Sequence, residues 1–180
     1  LTSVNSALSN GHYNEGDVIP IQVNFSEQMA VTGSPQLSLE FGNIDYPATY
    51  NSGSGSNQLI FNYTVLPGNM SNDLDYSNTS SLSLNGGTIT DIAGNAAVVT
   101  LPAPGETNSL GANKAIVIDT ESPTITSVTS SAIDGTYKVD DVIPILVTFS
   151  EAVFITDVPQ ITLETGETDA VASYASGSET

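Results

Sequence analysis

The sequence predicts an all-β fold made of two copies of one β-sandwich unit, the first complete and the second partial. Three observations carry that expectation. Apolar residues alternate at period two rather than at helical spacing. Turns rich in Gly, Asn, Ser and Pro separate the alternating runs. Above all, the chain repeats itself: shifted by 124 positions, residues 1–56 lie on residues 125–180 without a gap, with 27 identities in the 56 aligned positions. Gly16-Asp17-Val18-Ile19-Pro20-Ile21 falls on Asp140-Asp141-Val142-Ile143-Pro144-Ile145, and Ala48-Thr49-Tyr50 falls on Ala172-Ser173-Tyr174. A match of that length is duplication, and its period suits an independent domain rather than a solenoid turn. The expected organisation is a complete domain over 1–118, a linker over 119–124, and the first part of a second domain over 125–180, where nothing matches 57–118.

The elements are taken in chain order. A first strand is expected over 1–4. In 18–26, Ile19, Ile21, Val23 and Phe25 hold one phase while Pro20, Gln22, Asn24 and Ser26 hold the other. The second copy keeps the first phase as Ile143, Ile145, Val147 and Phe149, but turns Gln22 into Leu146 and Asn24 into Thr148. A strand with one buried face varies in that way. Further strands are expected at 36–41, 48–51, 59–65, 81–84 with 88–90, 97–101 and 115–118; in 59–65 the inward set is Leu59, Phe61, Tyr63 and Val65. Gly53-Ser54-Gly55-Ser56, Pro67-Gly68-Asn69, Asn85-Gly86-Gly87 and Gly94-Asn95 supply the turns. The stretch 103–113 lacks a pattern and is expected to be a surface loop. Seven or eight short strands at this spacing suggest an immunoglobulin-like sandwich.

The order of motifs goes further. Tyr13 ahead of Gly16-Asp17-Val18-Ile19, Val23-Asn24-Phe25-Ser26-Glu27, Asp73-Leu74-Asp75-Tyr76, Leu84-Asn85-Gly86-Gly87, Asp91-Ile92-Ala93-Gly94-Asn95, Ser109-Leu110-Gly111-Ala112-Asn113-Lys114 and Ile118-Asp119-Thr120 before Pro123 cover nearly the whole chain. Together they resemble the bacterial immunoglobulin-like or cadherin-like repeats of very large secreted adhesins and repetitive surface proteins. The resemblance implies an extracellular rod of stacked sandwiches at a bacterial cell surface, commonly stiffened by calcium at domain ends.

Composition narrows the function classes. Twenty acidic residues stand against two basic ones, Lys114 and Lys138, for a net charge of -18. Nucleic-acid binding needs Lys and Arg against phosphates and is excluded; anionic membrane surfaces are disfavoured for the same reason. No apolar run is long enough to span a membrane as a helix. Cys is absent, which removes disulfides and thiolate chemistry. The single His12 rules out the usual zinc sites and has no sign of a serine partner. Paired carboxylates could serve a glycosidase, but Trp is absent and most of the other aromatics sit in strand phase. The expectation is a structural or adhesive spacer and not an enzyme; the rival is a module whose loops bind a glycan or a protein. Its partners are neighbouring repeats or subunits.

The carboxylates are the candidate ligands. Calcium takes six to eight oxygens, held on loops. In an immunoglobulin-like topology, Asp17 with Glu15, Asp73 with Asp75, and Asp119 with Glu121 would gather at the end where the chain leaves the domain. Like charges so gathered repel unless a cation joins them. Each Asp alone is as readily a turn residue capping its own backbone. At the opposite end lie Glu27 and the Asp91–Asn95 loop, for which a bare turn and a turn holding metal stand level. Glu151, the counterpart of Glu27, is expected to face the linker and complete a junction site with Asp119.

Overall fold

The structure, a computed structural model, describes residues 1–42 and 44–178 and divides the chain into two compact units, Leu1–Glu121 and Ser122–Thr180. In both, nearly all the regular secondary structure is β-strand, and among the described residues the sheets are antiparallel but for one pair of strands. Among the described residues no helix is long and apolar enough to cross a membrane.

In the first unit, β1 (Ser3–Ser6), β3 (Val18–Thr32), β6 (Ser56–Thr64), β5 (Asp45–Ser52), β4 (Gln36–Glu40) and β8 (Leu82–Ser83) lie side by side in that order, and β9 (Thr88–Asp91) pairs with the far end of β3. A smaller sheet sets β10 (Ile116–Asp119) between β2 (Gly11–Tyr13), which runs parallel to it, and β7 (Met70–Ser71). One core takes side chains from both sheets, with Ile19, Ile21, Leu37, Leu59 and Phe61 from the larger, Ile116 and Ile118 from the smaller, and Leu74 between.

The period-two reading of β3 is visible in its burial: Ile19, Ile21, Val23 and Phe25 are all buried and Pro20, Gln22 and Asn24 are partly covered. The strand also runs six residues past Ser26. Ser26, Glu27 and Gln28 are all exposed, the register shifts between Asn24 and Met29, and beyond that irregularity β3 leaves β6 and takes β9 as its partner. A bulge of this kind lets one strand serve two ladders.

The chain enters and leaves the first unit at different ends. β1 is antiparallel to β3, and β2 ends at the 14–17 turn that leads into the start of β3. β10 runs parallel to β2, with Ile118 beside Tyr13. Leu1 therefore lies at the Asn24 end of β3 and Asp119 at the Val18 end, about 20 Å apart along a seven-residue strand.

Two expected features differ. Residues 97–101 form no strand: Ala97 donates its N–H to Ile89 (2.9 Å), Ala96 makes a single bridge with Thr90, and Val98 is left exposed. Residues 103–113 are more than a surface loop. They form a helical turn, α1 (Leu110–Asn113), capped by Ser109, whose Oγ accepts from the Ala112 N–H at 3.1 Å; Ser109 and Leu110 are fully buried. The Asn108 carbonyl accepts from Val4 N–H (2.9 Å) and the Asn113 amide donates to the Val4 carbonyl (2.8 Å), so the loop covers the outer edge of β1. An edge strand left bare would pair with other chains.

Asn69, buried in the turn after β6, ties that turn together. Its Oδ1 accepts from the Tyr63 hydroxyl and from the Leu66 N–H (2.9 Å). Burial, then the neighbouring Tyr46, pushes the Tyr63 hydroxyl up to about 12. Asn69→Ala strands that hydroxyl without a partner, and the expected cost is about 1–3 kcal/mol. Urea titration checks it; adding Tyr63→Phe should recover most of the loss in a double-mutant cycle.

The second unit carries β11 (Ile125–Ser130) paired with β12 (Ile145–Phe149), and β13 (Gln160–Leu163) paired with β14 (Ala170–Ser173). Its registers repeat those of the first unit residue for residue. Val4 opposite Val23 becomes Val128 opposite Val147, and Leu37 opposite Ala48 becomes Ile161 opposite Ala172. Local bonds recur as well: the Ser6 hydroxyl donates to the Pro20 carbonyl and that of Ser130 to Pro144, both at 2.7 Å. The burial does not recur. Val147 is 36% exposed where Val23 is 0%, Ile143 44% where Ile19 is 0%, and Val128 52% where Val4 is 0%.

Candidate functional site

At the exit end of the first unit, Asp17 closes the 14–17 turn. Its Oδ2 accepts the Asn14 N–H at 2.8 Å, its carbonyl accepts the Val65 N–H (2.9 Å), and the preceding Gly16 N–H donates back to the Val65 carbonyl (3.0 Å). Gly16 makes the turn possible with φ of 87°, a conformation that costs a side chain. The counterpart Asp141 caps the Lys138 N–H in the same way at 2.9 Å. Asp17 thus has a local task in both copies.

Asp119 ends β10 opposite Met70, and its Oδ1 accepts the Glu121 N–H at 3.1 Å. The next residue, Thr120, accepts from the Gly68 N–H (2.9 Å) and donates to the Asn69 carbonyl (3.1 Å). The 66–69 turn thus lies between the Asp17 turn and Asp119, which share one end of the unit.

Asp73 and Asp75 lie beside the other end of β10. They flank the buried Leu74, whose N–H donates to the Ile116 carbonyl at 2.8 Å, at the opposite end of that strand from Asp119. Three residues of strand separate the two places by about 10 Å. The two carboxylates do approach the same spot: a Cβ at Gly111 would stand 3.0 Å from the Asp75 Oδ2 and 3.4 Å from the Asp73 Oδ2. Asp75 is already satisfied, its Oδ1 by the Tyr76 N–H (2.9 Å) and its Oδ2 by the Gly105 N–H (3.0 Å). Packing around the Asp73 carboxyl, then the Asp75 charge, raises Asp73 above the ordinary carboxylate range.

At the other end, Glu27, Asp91 and Asn95 line one shallow hollow of about 190 Å³ together with Leu1, Phe25 and Met29. The loop is self-satisfied. The Asp91 carboxylate accepts both the Asn95 main-chain N–H and its side-chain amide at 2.7 Å, and Gly94 turns the chain with φ of 93°. The Asn95 side-chain amide first, and then its N–H, hold Asp91 below the ordinary range. Glu151 belongs to the second unit, two residues beyond the end of β12, and is half-buried. His12 faces solvent on β2.

Among the described residues, no group of three or more His, Cys, Asp or Glu side chains is placed to hold a metal ion. The structure brings together Asp73 with Asp75, and Glu27 with Asp91 and Asn95; it sets Asp17 and Asp119 at a common end with Asn69 and Thr120 between their turns. Asn69, Thr120 and Gly111 went unremarked as site residues in the sequence, where an Asn or Gly in a turn carries no sign of a tertiary partner. Compared with protein-family models, with curated proteins and with solved structures, the chain matches none.

Proposed function

We propose that this chain is part of an extracellular spacer on a bacterial surface, a series of immunoglobulin-like repeats that carries distance and load rather than chemistry. The observation that carries the reading is directional: the chain enters the first unit at one end, leaves it at the other, and then begins the same β-unit again with the same registers. A unit of that kind adds length each time it is repeated. Two sheets around one core support the sandwich reading. Small-angle scattering on two complete tandem copies of residues 1–124 tests it. The maximum dimension should exceed that of one copy by about a full domain length, and a compact side-by-side pair would sink the proposal.

Calcium enters through charge. The protein carries -18, the Asp73 and Asp75 carboxylates both come close to Gly111, and Glu27 and Asp91 line one hollow. As placed, these side chains are short of the six to eight oxygens that calcium takes, so any calcium shell has to draw on main-chain carbonyls and water. Extracellular calcium modules bind at roughly 10⁻⁴–10⁻³ M, and a site filled to about 100 times its dissociation constant adds about 2.7 kcal/mol. Calorimetry in calcium should therefore show a higher Tm than in chelator or in magnesium at matched ionic strength. An unchanged Tm would remove calcium from the proposal and leave the spacer standing.

A further inference from the structure

Two Asn-Gly pairs occur in the sequence, Asn10-Gly11 and Asn85-Gly86, and the fold treats them differently. A glycine after asparagine has no Cβ to shield its main-chain nitrogen, so that nitrogen can reach the carboxamide carbon of the preceding side chain. Asn10 is held away from this reaction. The Gly11 N–H donates to the Ala115 carbonyl (3.0 Å), and the Asn10 Oδ1 accepts the Ala115 N–H (3.2 Å), so both reacting groups are tied to the residue just before β10. Freeing them means parting β2 from β10. Asn85 lies instead in the exposed turn between β8 and β9. Among the described residues the Gly86 N–H finds no hydrogen-bond acceptor, and one bond holds the Asn85 side chain, from its Nδ2 to the Ser34 carbonyl (3.1 Å). Asn85 also has a φ of 47°, a left-handed conformation that crowds its Cβ and is easily left.

We infer that Asn85 is a site of spontaneous deamidation, and that the change loosens β9 from β3. The Gly86 nitrogen gives its proton to hydroxide and bonds to the Asn85 carboxamide carbon. The bond from that carbon to Nδ2 breaks, and the nitrogen leaves as ammonia after taking a proton from water. Water then opens the resulting cyclic imide at either carbonyl, which leaves aspartate or isoaspartate at position 85. The net change is an amide and a water for a carboxylate and an ammonium; nothing is oxidised or reduced. The turn has no slack to absorb either product. A Cβ on Gly33 would stand 2.8 Å from the Gly87 Cα, and one on Gly87 2.1 Å from the Thr32 carbonyl oxygen, so the 84–87 turn is pressed against the end of β3. A carboxylate at position 85 has no N–H for the Ser34 carbonyl, and isoaspartate lengthens the main chain at that place. β9 begins directly after the turn, with Thr88 opposite Thr32 and their hydroxyls 2.8 Å apart, and β3 is its ladder partner. The strain therefore falls on the β3–β9 ladder. This inference is independent of the spacer reading.

The test incubates the full 180-residue chain in mildly alkaline buffer, folded and in urea, and maps its peptides by mass at intervals. In the folded protein Asn85 should convert at least about tenfold faster than Asn10, because only Asn10 waits for a ladder to open. In urea the two should convert alike. Asn85→Gln keeps an amide at the position, but its longer side chain closes the ring far more slowly, so it serves as the unconverted control. Hydrogen exchange then compares aged with fresh protein. The β9 amides should exchange at least about tenfold faster after conversion, with the β3–β6 ladder unchanged, and aged Asn85→Gln should match its fresh form. Equal rates at Asn10 and Asn85 in the folded chain, or conversion of Asn85 confined to urea, would overturn the site. Unchanged β9 exchange in fully converted protein, or equal loosening in aged Asn85→Gln, would overturn its consequence.

Discussion

Replacing Phe61 with alanine is expected to cost the first unit about 3–5 kcal/mol, because a fully buried ring at the centre of the larger sheet leaves a cavity that its neighbours cannot close. The ring packs edge to face on Tyr50 and sits opposite Ile21, so both strands beside β6 lose contact at once. Against a typical total of about 5–15 kcal/mol, that brings the unit close to its threshold, and Tm should fall by roughly 10–25 °C. Phe61→Leu, which keeps most of the volume, should cost under about 1.5 kcal/mol. Ile92→Ala, at an exposed loop position, should stay within about 0.5 kcal/mol. Denaturant titration of the three variants decides; a Phe61→Ala cost below that of Phe61→Leu would mean that the core is not where the structure places it.

Gly53→Ala and Gly87→Ala should be nearly as damaging, for a different reason. A Cβ on Gly53 would stand 2.1 Å from the Gln58 carbonyl oxygen, and one on Gly87 2.1 Å from that of Thr32; in both cases the obstacle is main chain. Gly53 also holds a φ of 108°, whereas Gly87 is not left-handed, so its intolerance is purely one of space. Each substitution has to shift a strand, and a loss above about 3 kcal/mol is expected. At Gly68 and Gly105 a Cβ meets open space. There only the left-handed backbone resists, and alanine should cost about 1–2 kcal/mol. Thermal melts of the four variants should separate into these two groups. Equal losses across all four would show that the close approach of strands does not govern these turns.

The inward phase of β3 and β6 was legible because it is local. Period two needs no knowledge of the partner strand, and the duplication carried the same phase into β12. What failed to show depends on distant segments. β2 is three residues that include a Gly and a His, and it is a strand because β10 lies beside it. Residues 97–101 carry strand-like composition, yet the nearest ladder contact is the single bridge that Ala96, just before them, makes with Thr90. Asn108 and Asn113 look like loop residues until they are found on the edge of β1, more than a hundred residues away. The candidate site divides in the same way. For Asp17, Asp91 and Asp119 the sequence leaves a turn role and a ligand role level, and the structure shows each carboxylate accepting an N–H of its own loop. That Asp73 and Asp75 both approach Gly111, a strand's length from Asp119, is a matter of where β10 runs, which no spacing in the sequence conveys.

The parallel course of β2 and β10 has a mechanical consequence. Tension applied at Leu1 and Asp119 runs along the strands, pulling β1 lengthwise past β3 and β10 lengthwise past β2. The ladder bonds lie across that line, so they bear the load in shear and together, where a hairpin pulled at its two open ends gives way one bond at a time. The lifetime of the unit under tension is set by its unfolding rate rather than by its equilibrium stability, and the loop that pins Val4 through Asn108 and Asn113 adds to the resistance at the strand where the pull arrives first.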